Sequence, residues 1–359
     1  MHISTAILYR RLAIYIRKKG FYMLSISPNF TGMLSSINRT HNTNPVTKNT
    51  NQVSFRGKTD GTDEQDIFVR KATADTLSEQ EKKEYAKKLE QVGYEAFSQK
   101  QYTSCIESLK KALAINPDSA RAWHAKGSAE KELGQYEESI ADYTKAFELR
   151  PDSANSVGLR GLSKAKWAQE IEREDFEYSR ELYSSAISDY DKSIELNPNN
   201  PDIYDYKANA LMNTNKYREA IDALEGSIIL NEDILAKNPD NTGVKIKLAN
   251  AHHKKGKCLY TLAPSPYSPL NTEARDEFTQ ALEYTPGSAN TYYERAKVNK
   301  RIDTEQAKAD IEKAIELASD RPRYWEFYGN MLIMSDNEAD RDMGFECIAT
   351  ALKLRSEQN

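Results

Sequence analysis

Five residues within six places, His252, His253, Lys254, Lys255 and Lys257, form the densest cluster of chemically capable side chains in the chain. Imidazoles hold metals and move protons, and lysines bind anions. Adjacent histidines on a helix point about 100° apart, so they do not chelate one metal as an i,i+4 pair does. No partnering Cys or carboxylate stands at ligand spacing. The cluster reads either as a solvated helix face or as an anion-binding patch.

A second candidate, RGKTDGTDEQD at 56–66, contains Gly-Lys-Thr. A phosphate loop also needs a glycine at 52, where Gln52 stands, and a preceding strand, so this stretch reads as a linker. No GxSxG, HExxH or dinucleotide fingerprint occurs, and the many carboxylates follow helix faces as solvating charges do. The sequence therefore predicts no catalytic residue, no metal ligand set and no cofactor, and the chain is not read as an enzyme.

Composition narrows the class. Hydrophobic residues make up 39% of the 359 residues and charged residues 29%, the balance of a well-solvated protein. Three scattered cysteines, Cys105, Cys258 and Cys347, without a CxxC pair, argue against a disulfide framework or a zinc cluster and fit a reducing compartment, the cytoplasm. Residues 1–59 hold nine Lys or Arg and no Asp or Glu; with a total of −4, that +9 leaves −13 for the remainder. An acidic body does not suit a nucleic-acid groove.

The basic arm, residues 1–75, reads as disordered over roughly 28–75, where Asn, Thr, Ser and Gly dominate. Its first part is amphipathic: Leu8, Leu12, Tyr15 and Ile16 share one side of a helical wheel, opposite Arg10, Arg11, Arg17 and Lys18. The cations interrupt any apolar run approaching the roughly 18 residues of a membrane span. Three readings stand: a mitochondrial import sequence, a helix lying through residues 1–26 on an anionic membrane surface, and a dispensable leader.

The elements that would position the candidate residues emerge from a repeat. In the stretches 89–117 and 123–151, Gly93 falls on Gly127, Tyr102 on Tyr136, Ala112 on Ala146 and Pro117 on Pro151, each 34 residues apart. Prolines at 198, 239 and 286 and alanines at 281, 314 and 351 carry the skeleton onward. Seven units result: 86–119, 120–153, 154–200, 201–241, 242–286, 287–321 and 322–359. Small residues such as Gly127 and Ala146 let two helices approach, while Trp123 and Tyr143 fill the space to the next pair. One pair cannot bury its apolar face alone, so stacking must supply the core.

These units resemble the tetratricopeptide repeat, whose pattern W-x2-L-G-x2-Y, then Ala, Phe and Pro, is met by Trp123, Gly127, Ser139, Tyr143, Ala146 and Pro151. Tyr204, Leu211, Tyr217, Ala220 and Leu224 match it in the fourth unit, and Trp325, Tyr328, Gly329, Ile348 and Ala351 in the seventh. The resemblance covers residues 80–359 and implies an all-α, right-handed superhelical solenoid with a concave groove. It places His252 at the core position of Trp123. It also implies a groove presenting Tyr94, Arg121, His124 and Ser128, then Tyr206, Asn209, His253, Lys257 and Tyr260. Where some relatives clamp a chaperone's C-terminal carboxylate with Lys, Asn and Arg, this chain has Glu90, Tyr94, Ala125, Asn155 and Leu159, so that clamp is not expected.

Three units exceed the family length. The third is expected to lengthen both helices by about two turns, with Trp167 and Phe176 packed between the extensions. The fourth adds seven residues to its second helix, and the fifth adds about seven before its first helix and six in the turn 263–268. Phe345, Ile348 and Leu352 of the last helix are expected to be partly exposed, which would favour self-association through the C-terminal repeat. The implied function is a non-catalytic scaffold or adaptor binding a protein partner; the alternative is an assembly factor directed to an organelle or membrane by the arm.

Overall fold

The computed structural model describes residues 78–358; the readings of the arm, its amphipathic helix and the 56–66 linker lie outside them. The described residues form fourteen α-helices and no strand. In chain order they are α1 (Glu79–Ser98), α2 (Tyr102–Ile115), α3 (Ala120–Glu132), α4 (Tyr136–Leu149), α5 (Ala154–Ile171), α6 (Phe176–Leu196) and α7 (Pro201–Asn213). Then follow α8 (Tyr217–Lys237), α9 (Thr242–Leu262), α10 (Pro269–Tyr284), α11 (Ala289–Ile302), α12 (Thr304–Leu317), α13 (Pro322–Leu332) and α14 (Glu338–Glu357).

The punctuation residues make these boundaries. Ser119, Ser153, Asn200, Asn241 and Ser288 each accept a backbone N–H of the first turn of α3, α5, α7, α9 and α11, satisfying a donor that helix geometry leaves free. The turns inside the first, second and fourth pairs need one left-handed residue, supplied by Lys100, Gly134 and Asn215. Two tryptophans fasten the turns between pairs: Trp123 donates from Nε1 to the Pro117 carbonyl at 2.7 Å, and Trp325 to that of Ser319 at 2.8 Å.

Within each pair the helices approach at small residues. A methyl group on Gly127 would stand 3.2 Å from the Ser139 carbonyl oxygen, and one on Gly329 only 2.7 Å from that of Gly344. The core follows the stack as a series of apolar clusters, the largest centred on Tyr190, Leu211, Leu224 and Leu248. Consecutive helices pack on one another throughout. Beyond them, the substantial contacts join first helices of neighbouring pairs, α1 with α3, α3 with α5, α5 with α7 and α9 with α11. First helices therefore line the inner, concave side and second helices the outer.

A polar rung crosses each interface from the second pair to the seventh. The residue before the close-approach position of a first helix reaches the residue after the bulky core side chain of the preceding second helix. The pairs are Arg160 to Thr144 at 3.3 Å, Lys207 to Asp191 at 2.6 Å, Lys255 to Glu225 at 3.0 Å, Arg295 to Thr279 at 3.1 Å, and Tyr328 to Glu312. Four first-helix cations also reach a carboxylate on their own second helix: Lys126 to Asp142 at 2.5 Å, Arg160 to Asp189 at 2.6 Å, Lys255 to Glu277 at 2.9 Å and Arg295 to Asp310 at 2.7 Å. The family pattern has leucine at this place.

The long pairs differ in detail from expectation. Against the 13 and 14 residues of α3 and α4, α6 at 21 residues gains two turns, but α5 at 18 gains little more than one. Trp167 packs edge-on against Tyr178, centroids 5.4 Å apart, while Phe176 at the start of α6 is 55% exposed. Helix α8 has 21 residues; the residues expected ahead of the fifth unit's first helix are themselves helical, starting α9 at Thr242, while 263–268 form a non-helical turn. In α14, Leu352 is exposed while Phe345 and Ile348 are half-buried.

Candidate functional site: the inner face of the first helices

On α1 and α3, Tyr94, Arg121, His124 and Ser128 come together. The Arg121 guanidinium lies over the Tyr94 ring, 4.5 Å from its centroid, and the Tyr94 hydroxyl donates to Glu90 at 3.1 Å. His124 sets Nδ1 2.9 Å from Ser156 Oγ, with its ring edge-on to Tyr143. Burial holds the His124 imidazole below its ordinary pKa. Ser128 donates to the His124 carbonyl at 2.9 Å and meets the Tyr143 hydroxyl at 2.8 Å. Beside them a cleft of about 190 Å³ opens between Arg121, His124, Arg150, Asn155 and Ser156.

The middle of the face is different. Asn209 donates to Asp205 at 3.3 Å, and Asp205 is paired to Lys254 at 2.7 Å. Tyr206 packs against the central core, 6.3 Å from the Tyr190 ring centroid, and is not gathered with the others.

The histidine cluster divides. His252 is 7% exposed, with Nδ1 2.7 Å from Glu277 Oε2 and its ring stacked on Tyr284. Lys255 bridges Glu225 and Glu277 beside it. His253 faces the inner side but is wedged against the next repeat, with Nδ1 2.9 Å from Thr291 Oγ1 and its ring edge-on to Phe278. That burial pushes its pKa down to about 4, so it is neutral at physiological pH. Lys257 is exposed. Among the described residues no group of His, Cys, Asp or Glu is arranged to hold a metal ion.

Around Tyr260 the structure adds residues that sequence reasoning missed. Arg301 lies 4.2 Å and Lys297 5.3 Å from the Tyr260 centroid. Lys297 also approaches Tyr293, Arg323 covers Tyr293 at 5.2 Å, and Lys300 covers Phe327 at 5.4 Å. Asn290 links the rows, meeting His253 Nε2 at 3.3 Å and accepting from Arg323 at 2.8 Å. The signal for these residues was present: Tyr293, Lys297 and Lys300 each stand forty places after His253, Lys257 and Tyr260, the same positions one repeat on.

Comparison with known proteins agrees with this architecture. Tetratricopeptide repeat profiles match residues 89–119 and 120–153 and, in a second form of the repeat, 189–222. No curated protein matches the chain. The C-terminal part of a TPR repeat-containing protein from Cytophaga hutchinsonii is similar over 73% of this chain and 97% of its own, at 18% identity and a TM-score of 0.54. A tetratricopeptide repeat protein from Parabacteroides merdae is similar over 76% of this chain and 93% of its own, at 15% identity and a TM-score of 0.47. YrrB, a TPR protein with an unusual peptide-binding site, is similar over 60% of this chain and 94% of its own, at 20% identity and a TM-score of 0.45. With repeats matched in sequence and the helical solenoid shared in structure, the chain belongs to the tetratricopeptide repeat family.

Proposed function

We propose that this protein is a non-catalytic scaffold whose inner face holds a helix or an extended segment of a partner protein. The observation that carries the reading is the concentration of aromatic and cationic side chains on first helices α1, α3, α9, α11 and α13, the residue types that anchor protein interfaces. Several first-helix cations elsewhere on the array, Lys126, Arg160, Lys255 and Arg295, are taken up in ion pairs with carboxylates. We place its action in the cytoplasm. The basic, acid-free sequence of residues 1–59 supports a second reading, in which the arm delivers the array to a mitochondrion or an anionic membrane.

Site-specific photo-crosslinking in cells tests the scaffold reading. A crosslinker at Lys257, on the inner face, should capture a defined partner that one at Glu148, on the outer helix α4, does not. Equal capture from both would overturn it. Proximity labelling by the full chain and by one lacking residues 1–75 separates the two readings, because only a targeted factor changes location and neighbours when the arm is removed.

A further inference from the structure

We infer that the inner face of α9, α11 and α13 binds an acidic segment of a partner protein. This deepens the scaffold reading and rests on it. Lys257, Lys300, Arg301 and Arg323 are all exposed there. None has a carboxylate partner among the described residues: Arg301 bonds the Asn271 side-chain oxygen at 3.2 Å, Arg323 bonds Asn290, and Lys300 rests on Phe327. The nearby acids are already engaged, Glu294 by Lys297 at 2.7 Å and Glu326 by Arg355 at 2.5 Å. Four cations without a carboxylate thus stand on the inner side of three successive first helices, in a body that carries −13 outside its arm. Several first-helix cations elsewhere, Lys126, Arg160, Lys207, Lys247 and Lys254, each hold a carboxylate.

Charge complementarity selects an anionic occupant, and the surroundings select a peptide. The chain's own arm, at +9, is repelled. A flat bilayer does not reach into the concave side of a solenoid. Single-stranded nucleic acid needs bare ring faces for its bases, but Arg301 covers Tyr260 and Arg323 covers Tyr293. Carboxylates can bridge the outward guanidinium edges while apolar side chains enter between the rings, the pairing that Arg geometry favours.

The test uses the full chain, a fluorescein-labelled peptide of repeating Glu-Leu-Asp-Phe units, its Gln-Leu-Asn-Phe counterpart, and labelled oligouridylate. The acidic peptide should bind, weaken as salt rises, and exceed the neutral peptide by about tenfold or more. Lys300→Glu combined with Arg301→Glu should cost about tenfold or more, Arg301→Lys should retain most binding, and Lys145→Glu, on the outer helix α4, should change it less than about twofold. These sites are exposed, and an unchanged helical signal and melting temperature confirm folding. Equal binding of the neutral peptide, tighter binding of oligouridylate, or an equal loss in Lys145→Glu would overturn the inference. A partner captured at Lys257 through a segment without acidic residues would overturn it alone, leaving the scaffold reading standing. Equal capture from the outer face would overturn both.

Discussion

At the scale of single residues, the inner face is governed by how far each side chain is withdrawn from water. His253 occupies the same register as His124, which is why both could be assigned to the inner side from the repeat alone. The sequence could not show that Thr291 and Asn290 of the next pair and Phe278 of its own pair close around it. The closure has a pH consequence. The folded pKa near 4 lies below the ordinary 6.5, so between those values the unfolded chain binds a proton that the fold refuses. Stability should fall as pH drops through that window and be fully present above it. His253→Gln, which keeps a hydrogen-bonding group near Thr291, should flatten this part of the stability curve measured by urea unfolding. An unaltered curve would show that His253 takes up its proton in the fold as readily as in the unfolded chain. Lys257, one turn away, was legible for the opposite reason: an exposed cation needs no neighbour to define it.

At the scale of helices, periodicity identified positions but not what they touch. The family pattern calls for leucine before the close-approach residue of each first helix, where this chain has Lys126, Arg160, Lys255 and Arg295. In three dimensions they are rungs between helices, and ion pairs of this kind fix register more than they add stability. The rung in the second pair is the most burdened. Lys126 holds both Glu130, at 2.8 Å, and Asp142, with all three side chains nearly buried. Burial, reinforced by the neighbouring Asp142, pushes the Glu130 carboxyl up to about 7. A raised carboxyl pKa means that the fold keeps a proton the unfolded chain releases, so this contribution is complete below about 4.5 and is lost as pH rises through about 7. Glu130→Gln should therefore stabilise the array above neutrality, by about 1–2 kcal/mol, and remove its pH dependence there. A loss of stability at pH 8 would mean that the ionised Glu130 is needed by Lys126. The helix extensions tell a similar story, since their lengths could be counted while the choice of Tyr178 over Phe176 as Trp167's partner depended on side-chain direction.

At the scale of the whole array, each repeat is held chiefly by its neighbours, so local stability varies along the stack. The joint between α12 and α13 is the least extensive of the consecutive helix contacts, which leaves the seventh pair least supported. Three buried thiols stand along the array: Cys105 in α2, Cys258 in α9 and Cys347 in α14. Burial pushes each thiol up to about 11, so alkylation under native conditions requires local opening. Cys347 should react before Cys258, as mass spectrometry of a timed alkylation would show. A common rate for all three would instead mark the array as one cooperative unit. The exposed cations span α9, α11 and α13 and therefore cross the weak joint. An acidic peptide held by Lys257, Lys300, Arg301 and Arg323 would fasten the seventh pair to the sixth and selectively slow alkylation of Cys347. If the peptide bound without changing the Cys347 rate, the seventh pair would not take part in holding it, and Arg323 would be the first residue to remove from the proposed contact.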